Sequence, residues 1–111
     1  MKHAEIWLVQ FPDGLGHEFK KDRPALVVES DAQILRSSIF TVIPMTSNTN
    51  NCLDEDIILT PDAENKLFKE SVIKVHYIQS FAPSRFLKKI GKASDDIMSE
   101  VKEYLKIHFD L

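Results

Sequence analysis

The segment between residues 16 and 28, GHEFKKDRPALVV, places several ionisable side chains directly ahead of an apolar run. Within eight residues it supplies an imidazole, a carboxylate, two ammonium groups and a guanidinium, from His17, Glu18, Lys20, Lys21 and Arg23. An imidazole has a free pKa of roughly 6.5 and exchanges a proton near neutral pH, while a guanidinium fork matches the oxygens of a phosphate. The segment could therefore transfer protons beside a bound phosphate group. The alternative is a solvated loop between two strands.

Two predicted strands would position this segment. Residues 4–11, AEIWLVQF, are apolar at both alternating positions, which indicates a strand that is buried on both sides or turns the corner of a barrel. Residues 24–30, PALVVES, predict a second strand that begins at Pro24, because the first residue of a strand tolerates proline. Arg23 would then stand at the start of a rigid element. Its other possible role is that of a surface side chain lying along the barrel.

Later segments predict further strands. Residues 39–45, IFTVIPM, form the third, and Pro44 indicates an edge position or a bulge because proline cannot donate to the ladder. Residues 54–60, DEDIILT, form the fourth. Residues 71–78, SVIKVHYI, alternate, so we expect Ile73, Val75 and Tyr77 to face the core and Lys74 and His76 to face outward. Residues 83–91 are compatible with a helical turn or a short strand.

Two helices are predicted. Thr60 as N-cap and Pro61 at the first helical position indicate a short middle helix that ends near Phe68. Ser94 caps a C-terminal helix with two aspartates in its first turn, where the helix dipole favours them. Its apolar residues recur at helical spacing, at Ile97, Met98, Val101, Tyr104 and Leu105. Five or six short strands with these two helices predict a mostly β protein, a small barrel with helices packed on it.

Size and composition exclude several classes of protein. The chain has 111 residues, one domain spanning 1–111, and 43% of them are hydrophobic, enough for one core. The net charge of -3 argues against binding nucleic acid by bulk electrostatics, although a local basic groove stays open. No apolar run approaches the roughly 20 residues of a membrane span, and the start MKHAEIWLVQ reads as mature protein rather than a signal peptide. Cys52 is the only cysteine, which excludes an internal disulfide and a cysteine metal site and suits the cytoplasm.

Taken in order, several segments resemble the MazF/PemK/Kid toxins of type II toxin–antitoxin systems. They are EIWLVQF, GHE, RPALVV, VIPMTS, ESVIKVHYIQ and PSRFLKKIG. The resemblance covers essentially the whole chain, from Glu5 to the final helix. It implies a small SH3-like β-barrel with helices, a homodimer, and a sequence-specific endoribonuclease that cleaves single-stranded mRNA without a metal ion or a cofactor. It also implies a cognate antitoxin protein whose flexible tail covers the RNA groove.

The resemblance also assigns functions to individual positions. Gly16-His17-Glu18 matches the motif of the first loop, in which Kid-like members carry a histidine proposed to be catalytic. Arg23 matches the arginine of the family's Arg-Pro motif, and Thr46 matches a threonine that helps to hold the phosphate. The resemblance thus implies a catalytic set of His17, Arg23 and Thr46. Together with the chemistry of the neighbouring side chains, it predicts a substrate-binding set of Glu18, Lys20, Lys21, Ser47, His76 and Gln79.

Two positions depart from the pattern of the family. Ile78 stands where Kid-like members carry an aspartate that is proposed as general base, and His76 stands where they carry an arginine. The identity of the general base is therefore open. His76 could face the RNA or serve the structure alone, and Thr46 could simply cap a turn.

Metal-free cleavage of RNA uses the ribose 2′-OH as nucleophile, so the substrate class is RNA and not DNA. The reaction needs a base for the 2′-OH, an acid for the leaving 5′-oxygen, and donors for the charge that builds on the phosphorane. We expect His17 to act as base or acid, Arg23 to stabilise charge and Thr46 to donate its hydroxyl. Two alternatives remain, a non-enzymatic DNA gyrase poison like the CcdB toxins, which share this barrel, and an RNA-binding homologue that has lost cleavage.

Overall fold

Most of the regular structure is β-strand, with one long helix near the end of the chain. The computed structural model describes residues 1–12, 21–50 and 52–111, with the backbone alone of Lys21. Its strands are β1 (Glu5–Phe11), β2 (Lys21–Val27), β3 (Phe40–Thr46), β4 (Ile57–Leu59), β5 (Ser71–Ile73), β6 (Gln79–Phe81) and β7 (Phe86–Lys92). The helices are α1 (Asp31–Ile34) and α2 (Asp95–Phe109), and two 3-10 turns span Val75–Tyr77 and Pro83–Arg85. Within the described ranges, no helix is both long and apolar enough to cross a membrane.

The strands pair antiparallel in the order β4-β5-β3-β2-β1-β7, and β6 also pairs with β3. Apolar clusters pack on the two faces of this sheet. The main cluster includes Ile6, Leu26, Ile43, Met45, Ile57, Ile73 and Val75. The second cluster holds Val9, Phe11, Ala25, Val27, Val42 and Phe81. Because successive residues of a strand point to opposite faces, β1 buries side chains on both sides, as its sequence predicts.

Pro44 lies in the interior strand β3, so the prediction of an edge strand or a bulge is wrong. On one side of β3, the pairing partner changes from β6 at residues 40–42 to β5 at residues 45 and 46. The carbonyl of Pro44 accepts a hydrogen bond from the Lys74 N–H at 3.0 Å. Since the N–H and C=O of one strand residue point to the same side, the missing donor of Pro44 faces this gap between β6 and β5. The proline therefore removes no ladder bond.

The second strand begins three residues before Pro24, at Lys21, and not at the proline as predicted. Pro24 pairs with Leu8 of β1. The pairing of β2 with β3 reaches only as far as Ala25, so Pro24 lies just beyond the end of that ladder. A proline is tolerated at such a position because one of its sides makes no ladder hydrogen bonds.

Residues 60–68 form a hydrogen-bonded turn, and the predicted placement of the short middle helix there is wrong. Asn65 is fully buried, and its Oδ1 accepts hydrogen bonds from the N–H groups of Asp62 and Leu67, both at 3.0 Å. Its Nδ2 donates to the Thr60 carbonyl at 2.9 Å. Lys66 then adopts a φ of 56°, in the left-handed region, where a right-handed helix cannot continue. The asparagine side chain thus takes the place of helical hydrogen bonds.

Each α-helix begins at a serine cap. The short helix of the fold is α1, where the Ser30 Oγ accepts a hydrogen bond from the Gln33 N–H at 3.2 Å. In α2, the Ser94 Oγ accepts from the Ile97 N–H at 3.2 Å, as predicted. The apolar side of α2 packs against the main cluster through Ile97, Met98, Val101, Tyr104 and Leu105. The C-terminal amphipathic helix is therefore confirmed in its start and in its buried side.

Residues 71–78 alternate in the sequence but do not form one strand. Ile73 and Val75 are buried as predicted, whereas Lys74 is 5% exposed and Tyr77 is 40% exposed, the reverse of the prediction. The strand ends at Ile73, and the 3-10 turn that follows breaks the alternation of faces. Lys74 can be buried because its ammonium forms an ion pair with Asp56 at 2.7 Å. The segment 83–91, left open between turn and strand, contains both.

Candidate functional site

The register of the sheet brings together two of the predicted catalytic residues. The β2–β3 pairing runs from Val27–Val42 to Ala25–Pro44. Arg23 and Thr46 each lie two residues beyond the last pair of this ladder, at the same end of the two neighbouring strands. On its other side, Thr46 pairs with Val72 of β5. Arg23 is itself held in β2 by its pairing with Val9, so both residues stand on paired strands.

Arg23 and Thr46 lie on the sheet face of the second cluster. Residues two or four apart in a strand share a face, and the cluster contains Ala25, two residues from Arg23, and Val42, four residues from Thr46. Met45, the neighbour of Thr46 in sequence, points instead into the main cluster. The predicted catalytic pair thus occupies the polar end of a face whose other end is packed.

Several predicted site residues lie outside the part of the chain that the structure describes. These are His17, Glu18 and Lys20. They fall within the connection between β1, which ends at Phe11, and β2, which begins at Lys21. Arg23 follows the start of β2 by two residues, so the connection that carries His17 joins the sheet close to Arg23.

Thr46 is 6% exposed at the end of β3, and the exposed Ser47 follows it. The Thr46 Oγ1 accepts a hydrogen bond from the Asn48 N–H at 3.2 Å, so the residue does cap the turn after the strand. A hydroxyl carries one donor besides its acceptor lone pairs. The capping contact therefore leaves the hydroxyl hydrogen of Thr46 for donation to a phosphate oxygen.

A buried cluster of ionisable side chains lies beside the end of β3, in the segments before β4 and after β5. Asp56 precedes β4, and its Oδ2 accepts hydrogen bonds from Lys74 Nζ at 2.7 Å and from the Leu53 N–H at 2.8 Å. Its Oδ1 lies 3.7 Å from the Nδ1 of His76. The backbone N–H of Lys74 donates to the carbonyl of Pro44, two residues before Thr46. The cluster therefore lies beside the strand that carries Thr46. We call Asp56, Lys74 and His76 the charged cluster.

Sequence reasoning missed Asp56 and Lys74 as parts of this site. Asp56 was placed in the fourth predicted strand, residues 54–60, without a function, and Lys74 was assigned to an exposed strand face. The signal that could have found them is a lysine within an otherwise apolar strand, SVIKV, which requires a buried counter-charge.

The remaining predicted residues lie at the margin of this region. Gln79 is half-buried in β6, where it pairs with Val42, and its Nε2 donates to the Tyr77 carbonyl at 3.3 Å. Ile78 is partly buried and packs against the main cluster. Position 78 therefore supplies an apolar contact, and any general base must come from another position.

Glu5 forms a second buried polar site, on the opposite edge of β1. Its Oε1 accepts hydrogen bonds from Trp7 Nε1 at 3.0 Å and from the Lys2 N–H at 2.9 Å, and Lys89 Nζ lies 3.0 Å from Oε2. Burial acts to raise the pKa of the Glu5 carboxyl, but the hydrogen bonds from Trp7, Lys89 and Lys2 outweigh it and lower the pKa to about 2. The carboxylate thus fixes the indole and ties β1 to β7.

A cavity of about 550 Å³ opens on the other face of the sheet, away from Arg23 and Thr46. Its lining combines apolar and basic side chains, including Leu8, Pro24, Phe68, Lys66, Lys69 and Lys88. None of the predicted site residues whose side chains the structure describes lines it. Among the described residues, no group of three or more His, Cys, Asp and Glu side chains is arranged to hold a metal ion.

Comparisons with known proteins agree on one family. A family model described as PemK-like, MazF-like toxin of type II toxin-antitoxin system matches residues 2–109. Endoribonuclease MazF9 of Mycobacterium tuberculosis is 32% identical over 116 residues, which cover 100% of this chain and 98% of the relative. MazF of Deinococcus radiodurans superposes with a TM-score of 0.83 at 22% identity, covering 100% of this chain and 97% of that chain. An endoribonuclease from a Mycobacterial species, solved with its cognate antitoxin, gives a TM-score of 0.78 at 14% identity, covering 100% and 96%.

The similarities bear on two sequence-based predictions. The shared architecture confirms the mostly β, SH3-like barrel with a short helix and a C-terminal helix. The family match over nearly the whole chain, with a relative that is 32% identical, confirms the resemblance to the MazF/PemK toxins and the toxin endoribonuclease class of the function. The chain belongs to the PemK-like, MazF-like toxins of type II toxin–antitoxin systems.

Proposed function

We propose that the protein is a cytoplasmic toxin that cleaves single-stranded mRNA at specific sequences, without a metal ion, by attack of the ribose 2′-OH. The observation that supports this most is that Arg23 of β2 and Thr46 of β3 each lie two residues beyond the pair Ala25–Pro44, at the same end of two neighbouring strands. A guanidinium and a hydroxyl on neighbouring strands can both contact one phosphate group. Such donors act on the charge that develops in the transition state, which is the strongest single contribution to many enzymatic rates.

Arg23 and Thr46 would hold the scissile phosphate while charge builds on its oxygens. Arg23 presents parallel N–H donors to two phosphate oxygens, and the Thr46 hydroxyl donates to a third. His17 would exchange protons with the reacting oxygens. Lys20, Lys21, Ser47 and Gln79 would contact the RNA backbone on either side, with a contribution that falls as salt concentration rises.

The expected partners are RNA, a second copy of the chain and an antitoxin. A structural neighbour of this chain was solved as an endoribonuclease in complex with its cognate antitoxin, which supports an antitoxin partner here. We propose that the chain acts as a homodimer with two RNA grooves. An acidic, flexible antitoxin tail would compete with RNA for Lys20, Lys21 and Arg23, and a complex that leaves these residues open would contradict this proposal.

The first test is cleavage of a long single-stranded RNA in the presence of a chelator. The wild-type protein should cut the RNA at defined positions and leave DNA of the same sequence intact, because DNA lacks the 2′-OH. Arg23→Ala should slow cleavage about 100-fold, the usual effect of removing one donor to the transition-state charge. Arg36→Ala removes an exposed arginine after α1 and serves as the matched control, with no expected change in rate.

A gyrase poison is the second candidate function. The feature that favours it is the C-terminal end of α2, where Ile107 is 67% exposed and Phe109 is 53% exposed, with Leu111 next to them at 88%. Intact RNA together with inhibition of DNA gyrase would replace the first proposal with this one. RNA that is bound and not cut would point to a homologue that has lost cleavage.

A further inference from the structure

Two buried polar atoms face each other in the charged cluster. Asp56 Oδ1 and His76 Nδ1 are both inaccessible to solvent, and neither has a hydrogen-bond partner among the described residues. They lie 3.7 Å apart, within reach of an ion pair but beyond a hydrogen bond. Buried polar atoms are nearly always hydrogen-bonded, because an unpaired one costs free energy. Two such atoms at one point of a protein therefore need an explanation.

The structural contacts of Asp56 use only one of its two carboxylate oxygens. The Asp56 Oδ2 already accepts from Lys74 Nζ and from the Leu53 N–H, and these contacts are enough to hold the connection before β4 against β5. The Oδ1 is not needed for that purpose. The Oδ1 lies near the imidazole of His76. The His76 side chain is 24% exposed, but its Nδ1 is inaccessible to solvent. The exposed part of the ring thus lies away from the carboxylate.

This arrangement resembles a carboxylate that orients a histidine for proton transfer. An Nδ1–H that faces a carboxylate leaves Nε2 as a free acceptor, and the carboxylate then stabilises the imidazolium that forms when Nε2 takes a proton. Catalytic hydrogen bonds are often long before the substrate binds and tighten in the complex. A movement of less than about 1 Å would bring the two atoms to hydrogen-bond distance.

The neighbours of His76 are compatible with this role. The ring of Tyr77 lies at a centroid distance of 4.4 Å from the imidazole and is tilted by 47° to it. The ammonium of Lys74 is paired with the other oxygen of Asp56, so the carboxylate is held between a lysine and a histidine. From α2, Tyr104 packs against the main cluster, to which Val75 of the same 3-10 turn belongs. The backbone hydrogen bond from the Lys74 N–H to the Pro44 carbonyl places the cluster beside β3, two residues from Thr46.

We propose that His76 is the general base of the cleavage reaction and that Asp56 is its positioning residue, an inference that rests on the proposed endoribonuclease function. His76 Nε2 takes the proton of the 2′-OH while the 2′-oxygen forms its bond to phosphorus. The bond from phosphorus to the 5′-oxygen breaks, and that oxygen leaves with a proton from an acid, for which His17 is the candidate. The products are a 2′,3′-cyclic phosphate and a 5′-hydroxyl. The base that Ile78 cannot supply thus comes from position 76, held in place by Asp56 in the connection before β4.

The test compares single-turnover cleavage with binding, using a synthetic RNA that carries a mapped cut site. Its non-cleavable partner has a 2′-deoxyribose at that site. His76→Ala should slow cleavage by about 100-fold or more, as loss of a general base does, and should change the dissociation constant of the deoxy analogue by less than about threefold. Added imidazole should restore part of the rate. His108→Ala, which removes an exposed histidine of α2, should cleave like wild type.

Asp56→Asn should slow cleavage about 10-fold to 100-fold with little effect on binding of the analogue, as second-layer partners of histidine do. Because this change removes the carboxylate that pairs with the buried Lys74 ammonium, the variant Asp56→Asn/Lys74→Met removes both charges and keeps the volume. It should fold, and it should show the same loss of rate.

Some results would overturn the inference. They are cleavage by His76→Ala within about threefold of wild type, or a loss that lies wholly in binding, with no rescue by imidazole. Wild-type cleavage combined with a fully active His76→Ala would refute this inference alone. A wild-type protein that cuts no RNA would refute the proposed function together with it.

Discussion

The Glu5 carboxylate gives the most quantitative prediction about stability. It is 7% exposed and accepts hydrogen bonds from Trp7 and Lys2, with Lys89 at ion-pair distance. Its pKa falls from 4.5 to about 2, and each tenfold change in acidity corresponds to about 1.4 kcal/mol. The folded state thus gains roughly 3 kcal/mol at neutral pH. Because Lys89 is half exposed and its contribution is screened by solvent, we expect Glu5→Gln to cost roughly 2 kcal/mol.

The pH dependence of this loss has a defined sign. The folded pKa lies below the unfolded one, so the stabilisation is complete above pH 4.5 and is lost as the pH falls toward 2. The difference in unfolding free energy between wild type and Glu5→Gln should therefore be largest near pH 7. It should shrink by about half or more by pH 3.

Urea unfolding followed by far-UV circular dichroism measures this difference at each pH. The signal of Trp7 is unsuitable because its indole donates to Glu5 directly. Glu103→Gln is the matched control, since Glu103 forms an exposed ion pair with Lys106 and should have a much smaller effect. Comparison at one protein concentration keeps any self-association constant. A difference below about 0.5 kcal/mol at pH 7, or a difference that does not change between pH 7 and pH 3, would refute the role assigned to Glu5.

Two further changes test the packing and the helix cap. Gly91→Ala should destabilise the protein by about 1–3 kcal/mol, because a Cβ there would lie 2.3 Å from the Asn65 carbonyl oxygen; thermal unfolding that matches wild type would contradict this contact. Ser94→Ala should cost about 1 kcal/mol, because it removes the acceptor for the Ile97 N–H at the start of α2. Ser99→Ala, at an exposed position within the same helix, is its control and should be close to neutral in urea unfolding.

The elements with a local cause were predictable from the sequence. The start of α2 follows from a serine cap with acidic residues behind it, and its buried side follows from the spacing of its apolar residues. The strand β1 follows from an apolar run that has no polar face. The ordered motifs along the chain were sufficient for the family. These features depend on residues that are close in the sequence, or on the order of the motifs along the chain.

The errors arose where distant residues decide the local structure. The segment after Thr60 carries the signals of a helix start, yet the buried side chain of Asn65 turns it into a compact loop. Pro44 indicated an edge, yet the change of partner from β6 to β5 accommodates it inside the sheet. Lys74 was expected in solvent, yet Asp56, eighteen residues earlier, neutralises it in a buried position.

The sequence by itself determined the family, the mostly β class, the C-terminal helix and the types of side chain available for chemistry. Tertiary structure alone decided that Arg23 and Thr46 lie at the same end of two neighbouring strands, because a pairing register depends on strands that are far apart in the chain. It also decided that Asp56 faces His76, since Asp56 precedes β4 and His76 lies in the 3-10 turn after β5. The physical reason is the range of the interactions. Caps and periodic patterns act over a few residues, whereas a register or a buried charge pair exists only after the sheet has formed.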